Sequence, residues 1–153
     1  MSVSGVYFVE TRGQATGAWS NATGRTDLRV PTADDETRVP YLFDEQSHRL
    51  MSELLIVDDE TAYGIPAIAP ARGIPADFSG PDLAYEDPHI VTHVTLAELL
   101  AVRYDTVVTR SYVGDCSDRR LRTLLGCDYF MHLGWLCSLG FAPADVRITA
   151  VFF

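Results

Sequence analysis

Two histidines four residues apart, His89 and His93, follow the acids Glu86 and Asp87. Imidazole and carboxylate are ligand types for a divalent metal, and a spacing of four on a helix would turn both rings to one side. The group is a candidate metal half-site. The alternative is a pair of loop histidines, one of them hydrogen-bonded under the helix start that follows. A second chemical signal is charge. Asp34, Asp35 and Glu36 form one acidic run and Asp58, Asp59 and Glu60 another, on either side of one helical pattern. Three carboxylates in three residues repel phosphate and suit a basic protein surface, so these six are the candidate binding residues. The plain alternative is a solvated face that keeps the chain soluble.

The rest of the chain offers few chemical motifs. It has no glycine-rich phosphate loop, and without a single Lys it has no Walker motif. HExxH, CxxC and nucleophile-elbow patterns are missing too, and no cofactor is expected. His132 reads as a satisfied core-edge residue on a helix. Arg119, Arg120 and Arg122 open that helix and are expected to pair with the acidic middle of the chain. Cys116, Cys127 and Cys137 are odd in number and widely spaced, which argues for core thiols in a reducing cytoplasm rather than disulfides or a zinc knuckle.

Charge is unevenly distributed. The chain has 21 acids and 12 bases, every base an arginine, for a net charge of −9. Residues 27–98 hold fifteen acids against four arginines, and each flank is slightly positive. With 153 residues, 47% of them hydrophobic, one domain can bury a sizeable core. No run of 18 apolar residues is present, and the first ten residues lack a basic n-region, so neither a membrane span nor a secretion signal is expected.

The elements that must position these groups follow from periodicity. Residues 3–10 alternate as a strand that is apolar on both faces, and 18–22 form a short return strand around Trp19. Residues 42–56 carry a helical pattern through Phe43, Leu50, Met51, Leu54 and Leu55. Five prolines and three glycines between 64 and 88 exclude a helix or a central strand. Ile65, Ile68, Ile74 and Phe78 are expected to pin that stretch down as an ordered loop. Arg72 within it is placed to meet a carboxylate from an acidic cluster as a clasp.

Thr95 and Glu98 read as a capping box that starts a short helix. Residues 105–113 alternate as a strand. Ser117 is expected to cap a helix running to Leu139, with Gly126 or Gly134 as a break. Residues 146–153 are the last strand, with Val146, Ile148, Ala150 and Phe152 on one side and Arg147, Thr149, Val151 and Phe153 on the other.

Taken together, these stretches resemble a family of small uncharacterised proteins common in tailed bacteriophages and prophages and also found in bacterial genomes. Its members open Met-Gly-Cys-Asp-Ile-His and have Glu at the tenth residue. A Leu-Phe helix, a Pro-Arg-Gly-Leu-Pro-x-Asp-x-Ser loop, and His-Ser-His-Ser-Trp-Leu-Thr before a Glu-Leu helix follow, and a Val-Arg-Ile strand ends the chain. The matching stretches here are Leu50-Met51, the loop from Pro70 through Arg72, Gly73, Pro75 and Asp77 to Ser79, Thr95-Leu96-Ala97-Glu98-Leu99, and Asp145-Val146-Arg147-Ile148. The departures fall on the chemistry. Val3, Ser4 and Val6 stand where the family has Cys, Asp and His, His89-Ile90-Val91 replaces His-Ser-His, and His93 replaces the Trp. The resemblance implies a metal or acid–base site in the relatives that this chain has exchanged for apolar residues while keeping the fold.

The expectation is one α+β domain over residues 1–153. It has a mixed or antiparallel sheet, with the N- and C-terminal strands central and two to three helices packed on it. Its expected function is that of a small acidic, phage-borne binding module. It would inhibit its partner, a basic host defence protein that binds nucleic acid, such as a CRISPR effector or nuclease, with no direct contact to nucleic acid or membrane. The competing expectation is a small metal-dependent enzyme or regulator acting through His89, His93 and nearby carboxylates.

Overall fold

A computed structural model describes residues 5–22, 42–43, 48–57, 63–83, 90–108 and 118–153. The sheet has four antiparallel strands: β1 (Gly5–Arg12), β2 (Trp19–Asn21), β3 (Ile90–Thr95) and β4 (Val146–Phe152). Their spatial order is β2-β1-β4-β3, so the first and last strands are central, as their two apolar faces require. The β1–β4 register runs from Gly5 opposite Phe152 to Thr11 opposite Val146. Every residue of β4 is buried.

One sheet face forms the core. Tyr7 and Val9 of β1, Val146, Ile148, Ala150 and Phe152 of β4, and Val94 of β3 join the helices in a single apolar cluster. Helix α1 (His48–Leu55) contributes Leu50, Met51, Leu54 and Leu55, and α2 (Leu96–Leu100) contributes Leu96 and Leu99. Helix α3 (Leu121–Cys137) contributes Leu121, Leu125, Tyr129, Leu133 and Leu136. A 3-10 turn (Pro143–Asp145) leads into β4. No described helix is long and apolar enough to cross a membrane.

Two helix starts differ from their sequence patterns. Helix α1 is described from His48, and the expected helical pattern does not hold at Phe43, which sits at φ 57, the left-handed region that bulky side chains avoid. Its N–H donates to buried His132 Nδ1 at 2.9 Å, and its ring stacks on Tyr129 and meets Tyr7 edge-on. Helix α3 begins at Leu121 with Arg120 in the cap position, and the expected cap, Ser117, lies outside the described residues. Its first N–H groups bond elsewhere: Leu121 to the Thr106 carbonyl and Arg122 to that of Tyr104.

Gly126 is the break in α3, at φ 78 and ψ 178, while Gly134 stays helical. Cys127 and Cys137 are exposed free thiols, not the core thiols expected, since α3 turns Tyr129, Leu133 and Leu136 inward instead. Cys116 is outside the described residues. Of the strand expected at 105–113, the described part makes only an isolated bridge, Val107 to Arg120.

The described part of the proline-rich stretch, residues 63–83, forms a strap, and residues 84–88 lie outside the described residues. It is bonded to the end of α1 by Ile68 N–H to Leu54 O and Val57 N–H to Ala69 O, both 2.9 Å. Ile65, Pro75 and Leu83 are buried and Phe78 packs edge-on against Phe8. Ile74 is not an anchor, being 48% exposed.

Candidate functional site

The second sheet face is where charged side chains meet. Alternation along β1 places Val6, Phe8, Glu10 and Arg12 there, and the pairing register lines them up with β4 and β3 in rows. Glu10, Arg147 and Thr95 form one row, Phe8, Thr149 and His93 the next, and Val6, Val151 and Val91 a third. Strap residues 72–79 fasten to this face from above.

Glu10 is fully buried, so its charge requires partners. Arg147 donates from Nε to Oε2 at 2.9 Å and from Nη2 to Oε1 at 3.0 Å. Ser79 of the strap donates its backbone N–H and its hydroxyl to Oε1, each at 2.8 Å. Arg147 is 6% exposed, and its remaining arm donates to Asp77 Oδ1 at 2.7 Å. The same guanidinium lies 4.2 Å from the Trp19 ring centre, with Arg12 at 5.0 Å from that ring. Arg12 in turn donates to Asp145.

Burial alone would raise the Glu10 carboxyl, but Arg147 and the two Ser79 donors bring it below its ordinary value. Asp77 is lowered chiefly by its bond to Arg147. A carboxylate held ionised by this many donors is a poor proton acceptor and does not act as an acid at neutral pH. The Glu10–Arg147 pair is therefore a fastener between sheet and strap.

A second fastener joins the strap to α2. Arg72 grips Glu98 with both terminal nitrogens, at 2.9 and 2.5 Å, and also donates to the His93 carbonyl. Bound to Arg72 and to the Thr95 N–H of its capping box, the Glu98 carboxyl falls to about 2. The clasp expected of Arg72 thus exists, but its partner is the helix-cap glutamate and not a member of an acidic run. Local pairing also holds for the arginines of α3: Arg120 pairs with Asp118 and Arg122 with Asp105, none of them from the acidic middle.

Of the sequence-derived candidates, Asp34, Asp35, Glu36, Asp58, Asp59, Glu60 and His89 lie outside the described residues. His93 is half-buried on β3, a strand where the sequence suggested a loop, so spacing on a helix does not describe it. Its Nδ1 lies 3.0 Å from the Gly73 carbonyl, to which that nitrogen donates. Among the described residues, no three His, Cys, Asp or Glu side chains are grouped so that they could hold a metal.

His132 is the satisfied histidine its position suggested. Sequence reasoning did not single out Glu10, Asp77, Ser79 and Arg147 as one group. The available signal was a Glu and an Arg embedded in otherwise apolar central strands, where a lone charge has to find a partner. The chain matches no protein-family model, no curated protein and no solved structure.

Proposed function

We propose that this protein is a binding module. Its surplus negative charge docks on the basic surface of a nucleic-acid-binding protein and thereby blocks that surface. The observation that carries the reading is how the charge is divided. The described residues hold nine acids and eight arginines, so all but one unit of the net −9 falls on the remaining residues, which include both acidic runs. The acids that fasten the fold, Glu10, Asp77 and Glu98, each face an arginine. Asp34, Asp35, Glu36, Asp58, Asp59 and Glu60 carry much of the surplus and are the proposed contact residues.

The third row of the second face supports the same reading. Val6 and Val91, which stand where the resembled phage family has histidines, flank Val151 side by side. Imidazoles at those two positions would face each other across one strand, and the valines leave an apolar surface there instead. A chain of this kind keeps the scaffold and works by contact. Defence nucleases of a phage host are the class of partner that the acidity and the resemblance together suggest.

The test is affinity capture from lysate of the source cell, followed by titration of the purified partner at increasing salt. Binding should weaken steeply with salt, and Asp58→Arg/Asp59→Arg should slow association and flatten that dependence. Unchanged binding by the double variant, together with loss of activity in His89→Ala and one stoichiometric metal in the purified protein, would favour the metal-dependent reading instead.

A further inference from the structure

We propose that the groove between the strap and the end of α2 binds a small amphipathic acid, with an apolar body and one anionic head. The groove encloses about 590 Å³, a size typical of sites for small organic ligands. Its walls are apolar: Pro66 and Ile68 from the strap, Val102 after α2, and Leu121 at the start of α3. Two charged side chains, Glu98 and Arg103, line it as well.

These two charges are not equivalent. Glu98 gives both carboxylate oxygens to Arg72 and one of them to the Thr95 N–H, so its charge is matched. Arg103 makes no ion pair among the described residues, and the nearest acid in sequence, Asp105, pairs with Arg122 at 3.3 Å. At the end of α2 the Ala97, Glu98 and Leu99 carbonyls are taken by the N–H groups of Ala101 and Val102 and by the Tyr104 hydroxyl. What the groove offers beside its apolar wall is one exposed arginine, Arg103, without an ion-pair partner among the described residues. A carboxylate head on Arg103, with its alkyl or aryl body along Pro66, Ile68 and Val102, satisfies both.

Backbone bonds hold the arrangement in place before any ligand arrives. The Thr106 N–H donates to the Arg103 carbonyl, and the Leu121 N–H donates to the Thr106 carbonyl, which ties the Arg103 turn to α3. On the opposite wall, Ile68 N–H is bonded to α1. The site is independent of the acidic runs, and its test does not depend on the partner proposed above.

Methyl NMR of the full-length chain titrated with octanoate tests the proposal, with octylammonium and octyl alcohol as matched probes. Octanoate should shift the Ile68 and Val102 methyls saturably, and about tenfold more tightly than either matched probe. Arg103→Glu should weaken octanoate about tenfold and Arg103→Lys much less. Ala101→Phe, at an exposed lining position, should block binding without disturbing the core. The proposal is overturned if those methyls do not shift saturably, or if Arg103→Glu binds octanoate unchanged. Equal affinity for octyl alcohol, which marks a merely greasy groove, or for octylammonium overturns it as well.

Discussion

Glu10 and Arg147 depend on each other more than any other side chains described. Both are buried, and each supplies the charge that makes the other's burial tolerable. Replacing Arg147 by Met leaves a carboxylate without its counter-ion, and the expected loss is about 3–5 kcal/mol in urea unfolding at neutral pH. The double replacement Glu10→Leu/Arg147→Met should recover much of that loss, since the stranded charge goes with it. A loss below about 1 kcal/mol for Arg147→Met would instead mean that Glu10 is solvated. The pH dependence follows from Glu98, whose carboxyl drops from 4.5 to about 2 on folding, chiefly through Arg72. A group whose pKa is depressed in the folded state contributes stability above its unfolded value and loses it as pH falls toward the folded one. Stability should therefore fall between about pH 4.5 and 2, and Glu98→Gln should flatten part of that slope. Glu10 acts in the same direction and should leave a residue of the slope in the variant.

Among the elements, α2 and the strap depend on one another. The helix has only five residues and is held at its start by a full capping box between Thr95 and Glu98. Thr95→Ala should cost about 1 kcal/mol in thermal unfolding. Because Glu98 also carries Arg72, loosening it should free the strap. Trypsin should cut slowly after Arg72 in the wild-type chain and several-fold faster in Glu98→Gln, read from the masses of early fragments. Equal cutting rates would place the strap's anchorage in its other contacts, Asp77 and Ser79 on the Glu10–Arg147 pair and the packing of Pro75 and Phe78. In α3 the break at Gly126 has no neighbouring atom within 4 Å of where a Cβ would stand. Its φ of 78 and ψ of 178 belong to a region nearly exclusive to glycine. Gly126→Ala should therefore cost about 1–3 kcal/mol through the backbone alone.

For the whole molecule, the described body is close to electrically neutral and the excess acid lies elsewhere in the chain. Asp58→Arg/Asp59→Arg should consequently change binding and leave the urea midpoint nearly where it was. The architecture was legible because it rests on local rules. Apolar residues on both faces marked the first and last strands as central, and Thr-x-x-Glu marked the start of α2. The proline count excluded regular structure from the strap. What only tertiary structure decided was which charge meets which. Glu10 and Arg147 stand 137 residues apart, and nothing local links them. Strand register brings them side by side, and burial then obliges them to pair. The same holds for Phe43, whose N–H bonds His132 of a distant helix and whose left-handed backbone departs from the helical pattern read there. Strand β3 was missed for a related reason. Its Ile90–Thr95 sequence alternates only weakly, and it is a strand because β4, buried on both faces, needs a hydrogen-bonding partner at that edge. Periodicity and capping act within a few residues and can be read along a chain, whereas register, burial and ion pairing are properties of the folded neighbourhood.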